Sequence, residues 1–365
     1  MLIYLFVIPI AVLYVALIVI FTVGWRRMPE YKAADCMQPG LHKIAVVVPF
    51  HNEAEHIDGL LRSLSRQSYP AFELIFVDDH STDSTCQLIN TYISVFDNCK
   101  LISATRRGKK AALKEGIQSA DAELIITTDA DCEVHPDWVK TIASFYATHE
   151  TDLIICPVRY KTEKDTNFQR MQQIEFATLV GSGGGAAGAG MPVMCNGANL
   201  AFKKNSWMHC MNDLKPGLVS GDDMFLLQAM KKRGYTIRFL KSAQAFVITC
   251  PSDSLKSFLK QRTRWSAKSP AYTDGQIIIT ALAVAGVSFA QLFSLAILLF
   301  DFSYWPLTLA VFTVKFLPDL CFFKTIHRFF LLPFTILRFF LLAVFYPFYV
   351  SVVILLSLIR SVIEW

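Results

Sequence analysis

The sequence predicts an α/β domain built on a mostly parallel sheet with flanking helices, joined to transmembrane α-helices. Three observations predict it. Short β-branched runs alternate with amphipathic stretches through the first half of the central region, as strand–helix repeats do. Three of those runs end in polar or acidic clusters. The apolar residues gather in charge-free runs near both ends of the chain.

The 365 residues are 53% hydrophobic, a high share for a soluble domain. Residues 1–25, 275–300 and 339–359 carry no charged side chain, and each run exceeds the roughly 20 apolar residues that span a bilayer. A weaker fourth span runs from Tyr304 to Phe323, interrupted by Lys315, Pro318 and Asp319. The expected organisation is a transmembrane helix over 1–25, one domain over 26–274, and a membrane region of about three helices over 275–365. A secretory signal carries its basic residues ahead of the apolar core, whereas Arg26 and Arg27 follow it here. By the positive-inside rule they hold the next segment in the cytoplasm. With one early and three late helices, Lys324, His327, Arg328 and Arg338 fall on the same side.

Within the central region, "KIAVVVPF" (43–50) reads as a buried strand ended by Pro49. The stretch from Glu53 to Tyr69 reads as a helix with an apolar stripe of Ile57, Leu60, Leu61 and Leu64. "FELIFVDD" is a second strand stopped by Asp78 and Asp79, "AALKEGIQSA" a helix, and "ELIITTDAD" a third strand. Asp129 and Asp131, read as the end of that strand, would share a face and repel unless a cation neutralises them. Ligands of parallel sheets bind beyond the carboxyl ends of the strands. The convergence of Asn52 and Glu53, Asp78 and Asp79, and Asp129 and Asp131 at such ends therefore marks a candidate site.

The second half is less regular. "GSGGGAAGAG" (181–190) has six glycines and reads as a flexible loop, with close backbone approach as the alternative. Asp222 and Asp223 open an amphipathic helix, where acids also serve as dipole partners. The segment 254–272 holds basic Lys256, Lys260, Arg262 and Arg264 with apolar Leu255, Phe258, Leu259 and Trp265, a composition suited to an interfacial helix on anionic membrane lipid. The nine cysteines, Cys36 among them, form no C-x-x-C pair, which suggests reduced thiols and neither a disulfide framework nor a zinc site. His51, His80 and His135 near the strand ends read as polar loop residues. No nucleic-acid partner is expected.

In order along the chain, "VVVPFHNEAE", "VDDHSTDST", "GKKAAL", "DAD", "GDD" and "QRTRW" resemble the motifs of family 2 glycosyltransferases of GT-A fold. The likeness covers roughly residues 42 to 270. It is to the membrane-embedded branch that includes cellulose, hyaluronan and poly-N-acetylglucosamine synthases and ceramide glucosyltransferase. The resemblance implies roles for the matching positions. Pro49, Glu53 and Asp79 line a nucleotide pocket, Asp79 accepting from a uracil N–H, and Lys109 lies near the nucleotide. Asp129 and Asp131 hold ribose, metal (Mg²⁺ or Mn²⁺) and diphosphate, Asp131 as direct ligand. Asp223 is the general base, Asp222 its support, and Gln261, Arg264 and Trp265 close over diphosphate and acceptor.

The implied activity is inverting transfer of a sugar from a nucleotide-sugar donor, UDP-linked by this reading, to a membrane-associated lipid or glycan acceptor. The implied location is a bacterial inner membrane with the domain in the cytoplasm. A processive polysaccharide synthase that exports its polymer is the alternative within the same chemistry. A catalytically silent scaffold subunit of an envelope complex is the alternative outside it, and homo-oligomer or envelope-complex partners fit either. A transporter fits poorly, because the late spans carry few intramembrane charges beyond Lys315 and Asp319.

Overall fold

The computed structural model describes residues 2–33, 42–69, 71–162, 164, 166–215 and 221–360; Cys36 lies outside them. The chain divides into two compact units. Residues 1–27, 162–193 and 251–365 form a helical unit, and residues 28–161 and 194–250 form an α/β unit. Residues 162–193 and 251–274, expected within the 26–274 domain, thus cluster with the membrane-length helices.

Helix α1 (Leu2–Arg27) belongs to the helical unit. The α/β unit then alternates β1 (Ile44–Phe50), α2 (Ile57–Leu64), β2 (Phe72–Asp78), α3 (Thr85–Tyr92), β3 (Cys99–Ser103), α4 (Lys109–Ser119) and β4 (Leu124–Thr127). Every residue of β1 and β4 is buried, as expected of strands covered on both faces, whose side chains are nearly all apolar. Helix α4 lies close against β1 and β2: a Cβ at Gly116 would come within 2.6 Å of Val47 and 2.7 Å of Val77. The helix expected after Glu53 forms over its apolar stripe, burying Ile57, Leu60, Leu61 and Leu64.

After β4 the alternation breaks into β5 (Glu133–Val134), α5 (Trp138–His149), β6 (Leu153–Ile155) and β7 (Val158–Tyr160). Helix α6 (Asn167–Gly188) belongs to the helical unit. The α/β unit resumes with β8 (Leu200–Lys203), α7 (Lys204–Cys210), α8 (Asp222–Lys232), β9 (Ile237–Phe239) and β10 (Val247–Thr249). The main sheet has the order β3-β2-β1-β4-β8-β6-β9. It is parallel from β3 to β4, β8 runs antiparallel to both neighbours, and β9 is parallel to β6. Strands β5, β10 and β7 form a second, small sheet. In the main sheet the chain leaves β1 toward β2 and returns to its other side as β4. The β1–β4 boundary is therefore a topological switch point, where a crevice opens beyond the strand ends.

Pro49 is tolerated in the middle of this sheet for a local reason. The Val47 carbonyl accepts from Thr128 N–H (3.4 Å) and the Phe50 carbonyl from Asp79 N–H (2.8 Å). Alternate residues of β1 thus face β4 and β2. Pro49 faces β4 beyond Thr127, the last paired residue of that strand, so its missing N–H breaks no ladder bond.

In the helical unit, α1, α10 (Gly275–Phe300), α11 (Trp305–Ile326) and α12 (Ile336–Arg360) carry, among the described residues, four stretches long and apolar enough to cross a membrane. Helix α9 (Leu255–Ser266) starts at a capping box in which Ser254 and Ser257 bond reciprocally to each other's backbone N–H.

The glycine-rich stretch is not a loop. Residues 181–188 of it form the last turns of α6, whose start is capped by Thr166 accepting from Gln169 N–H. A Cβ at Gly24 of α1 would lie 2.0 Å from the Gly185 carbonyl, and one at Gly185 would lie 2.3 Å from that of Phe21. The alternative reading, close backbone approach, describes Gly185. Its poor helix propensity, on the order of 1 kcal/mol, is offset by helix–helix contact that no larger residue permits.

Candidate active site

The site grows from the three loops that leave β1, β2 and β4 at the switch point. The first two are laced together. Asn52, in the left-handed region at φ 54°, donates from its backbone to Ser81 Oγ (3.1 Å) and accepts at Oδ1 from Thr82 N–H (2.8 Å). Glu53 N–H donates to Thr85 Oγ1 (2.9 Å). Ser81 N–H donates to Asp78 Oδ1 (2.8 Å), and His51 Nδ1 lies 2.7 Å from the Asp79 carbonyl oxygen, so His51 serves the loop, as read. Asp79 Oδ1 accepts from Gly108 N–H (2.7 Å). Gly108 precedes α4 at φ 108°, a conformation open to glycine, and the bond fixes the start of α4 beside the end of β2.

That start carries Lys109, whose Nζ reaches Asp129 Oδ1 at 2.5 Å. Asp129 and Asp131 come together by a route the sequence did not show. Strand β4 stops at Thr127, and the two acids sit in the following turn, bridged by Cys132 N–H donating to the Asp129 carbonyl (3.3 Å). They are neighbours through a turn and not through the pleat of a strand. Asp131 Oδ2 accepts from Thr249 Oγ1 (3.4 Å), at the end of β10, a contact absent from any local pattern.

The electrostatics identify the gap in this cluster. Desolvation and the Asp129 charge push the Asp131 carboxyl above the usual range, against the pull of Lys109. Because Asp131 is exposed at the surface, repulsion from Asp129 deserves the greater weight of the two causes. Glu53 is raised in the same direction by desolvation and then by Asp131, partly countered by His56. Glu53 and Asp131 are thus both raised beside neighbouring carboxylates, while the nearby Lys109 pairs with Asp129. That excess of hard oxygen donors fits a divalent cation. Among the described residues no group of three or more His, Cys, Asp and Glu is arranged to enclose an ion. The donor set suits an ion held by one or two carboxylates and completed by phosphate and water.

Asp222 and Asp223 open α8 after Gly221, at φ 102°. They have different surroundings. Asp222 Oδ1 pairs with Lys110 Nζ at 2.8 Å, and the same ammonium donates to the carbonyls of Leu214 and Lys215, each at 2.9 Å. Asp222 is therefore a tether for the start of α8. The Asp223 carboxylate accepts from Met224 N–H (2.8 Å) and Gly197 N–H (3.2 Å). Gly197 in turn accepts at its carbonyl from Thr127 Oγ1 (2.8 Å), so one residue links the end of β4 to the carboxylate of Asp223. Asn199 anchors this loop while wholly buried. It donates to the Pro157 (2.7 Å) and Ala245 (2.8 Å) carbonyls and accepts from Trp138 Nε1 (3.0 Å). Sequence reasoning missed Lys110, Gly197, Asn199 and Thr249. The "CNGAN" run, with its polar residues between apolar ones, was the available signal for two of them.

Eight of the expected residues, Pro49, Glu53, Asp79, Lys109, Asp129, Asp131, Asp222 and Asp223, belong to the α/β unit, Pro49 buried within β1. Gln261, Arg264 and Trp265 lie on α9 of the helical unit, Arg264 exposed and Trp265 half-buried. One side of the Trp265 indole meets the Arg262 guanidinium at 4.3 Å.

Residues 45–209 match the family profile described as glycosyl transferase family 2. Glycosyltransferase AglE of Haloferax volcanii is 25% identical over 232 residues, 60% of this chain and 71% of the relative. Hyaluronan synthase of Streptococcus pyogenes is 23% identical over 240 residues, 63% of this chain and 57% of the relative. The chain thus spans a little over half the length of that synthase. Among solved structures, the mannosyltransferase PcManGT of Pyrobaculum calidifontis, in complex with GDP-Man and Mn²⁺, superposes at TM-score 0.56 with 17% identity, over 90% of this chain and 99% of its own. That likeness establishes a GT-A fold.

Proposed function

We propose that the chain, whose residues 45–209 match the family 2 glycosyltransferase profile, transfers a sugar, with inversion, from a nucleotide-sugar donor to a membrane-associated lipid or glycan acceptor. The observation that carries this reading is the crowding of Glu53, Asp129 and Asp131 at the β1–β4 switch point, with Lys109 paired to Asp129. Such a cluster has a purpose where a cation and a diphosphate complete it.

In this reading Asp79 and Glu53 bind the nucleoside end of the donor. Asp129 and Asp131 hold the divalent cation, Mg²⁺ or Mn²⁺, which lowers the barrier by stabilising negative charge on the departing diphosphate. Lys109, fixed by its bond to Asp129, adds positive charge beside that leaving group. Asp223, its carboxylate aimed by two backbone N–H groups, takes the proton of the acceptor hydroxyl as that oxygen attacks the anomeric carbon. A contribution of about 10² to 10⁴ in rate is typical of such a base. A single displacement inverts the anomeric centre, so an α-linked donor gives a β-linked product. By their place in the motif order, Gln261 and Arg264 act on the diphosphate and Trp265 on the acceptor. A guanidinium suits two phosphate oxygens, and an indole suits a sugar or lipid head.

The match to hyaluronan synthase favours a second reading, repeated transfer to a growing polymer. The test is an assay of membranes containing the full chain with a panel of radiolabelled nucleotide sugars, the product being sized by lipid extraction and by gel filtration. Label in a lipid extract supports single transfer, and label in a high-mass fraction supports the polymer. No incorporation from any donor overturns both.

A further inference from the structure

Helix α9 presents its lysines and Arg264 to the outside, yet Arg262 in their midst is only 5% exposed. Its charge is neutralised by the buried Glu175 of α6, with which it forms a short ion pair. The other carboxylate oxygen of Glu175 accepts from Tyr349 OH of α12 (2.9 Å). One node thus joins three helices. The guanidinium does more than the node requires. While one nitrogen bonds Glu175, another, Nη1, donates to Gln261 Oε1 at 3.0 Å. Its centre sits 4.3 Å from the Trp265 ring and 4.8 Å from that of Phe258. The Trp265 ring is also 6.1 Å from that of Phe176, on the same helix as Glu175. An anchor for α9 would need only a positive charge opposite Glu175. A planar fork that bonds two partners while stacking on an indole needs arginine.

We infer that Arg262 is a positioning residue for transfer: it fixes the Gln261 amide and the Trp265 indole, and Glu175 and Tyr349 hold it in place. The inference rests on the roles proposed above for Gln261 and Trp265. It assigns the second residue of "QRTRW" a duty inside the protein, while Arg264, two residues on, is left to face a ligand. An ångström of misplacement near reacting groups costs on the order of 10²-fold in rate, so a side chain that sets the motif's geometry affects turnover without touching substrate.

The test uses the full chain in lipid nanodiscs, as wild type, as Arg262→Lys, and as the charge swap Glu175→Arg with Arg262→Glu. Three properties are read on each: melting temperature, acceptor KM with kcat, and acrylamide quenching of Trp265. The quenching is obtained by difference from the same protein carrying Trp265→Phe. Lysine retains the pair with Glu175 but loses the fork and the stack, and the swap retains an ion pair with neither contact. The expected result is near-normal melting in both. Quenching of Trp265 rises, and kcat over acceptor KM falls at least about tenfold, with donor affinity little changed. Wild-type kinetics and quenching in Arg262→Lys would overturn the inference. So would loss of folding in Arg262→Lys, which would mark Arg262 as a plain structural anchor; if only the swap fails to fold, Arg262→Lys decides. The quenching comparison needs no substrate. A wild type that transfers no sugar would therefore sink the functional reading while leaving the positioning of Trp265 separately judged.

Discussion

At the scale of single residues, charge balance governs the site. Lys109 meets Asp129 directly, which leaves Asp131 and Glu53 with raised proton affinity and a need for a second cation. Asp131→Asn should abolish transfer and remove the rise in melting temperature that Mn²⁺ gives the wild type, while the metal-free variant melts no lower than the metal-free wild type because a repulsion has been deleted. Melting curves with and without Mn²⁺ check this, and full wild-type activity in excess chelator would contradict it. The acids themselves stood out in the sequence, because the D-x-D that ends one apolar run is matched by polar or acidic ends on two others. Their arrangement was not. Alternation predicted two carboxylates on one strand face, but β4 ends at Thr127, two residues before Asp129, and a turn does the work. Nor were the partners of Asp222 and Asp223 legible. Lys110 and Gly197 are 112 and 26 residues away in sequence from the carboxylates they hold, and no local pattern encodes a contact across such gaps.

At the scale of elements, the strands and the glycine helix were unequally readable. Strands β1, β2 and β4 were plain because burial on both faces makes their residues mostly apolar, and that signal needs no knowledge of neighbours. Helix α6 was misread because glycine disfavours helix locally, and the compensation comes from α1, far away in the chain. Gly185→Ala should therefore destabilise the protein although alanine is the better helix former, by about 1–3 kcal/mol as overpacking costs. Thermal aggregation in detergent measures it, and a stabilised variant would refute the close-packing account. The helical unit also contains Lys315, 4% exposed and paired with Asp319 at 2.5 Å. Tyr14 OH donates to the other oxygen of Asp319 (2.6 Å), and the ammonium lies 4.2 Å from the Tyr346 ring. Asp319→Asn strands the lysine charge and should cost about 3–5 kcal/mol. Replacing Lys315 and Asp319 together by leucine should recover most of that, as a same-protein melting comparison will show.

At the scale of the whole molecule, four membrane-length helices among the described residues and a GT-A fold in one chain set a topological demand. Arg26 and Arg27 follow the first span, so by the positive-inside rule the segment between the first two spans should be cytoplasmic, where the proposed reading places the donor. A cysteine placed at exposed Arg66, in a chain otherwise depleted of cysteine, should resist a membrane-impermeant reagent until cells are lysed; labelling of intact cells would reverse the orientation. The central claim, that this fold performs base-assisted sugar transfer, is tested most directly by the turnover of Asp223→Asn beside the wild type, with donor affinity measured on the same purified, lipid-embedded samples. The account predicts a fall in kcat of about 10² or more with donor Kd unchanged within a few-fold. Turnover preserved at saturating donor while affinity collapses would contradict it.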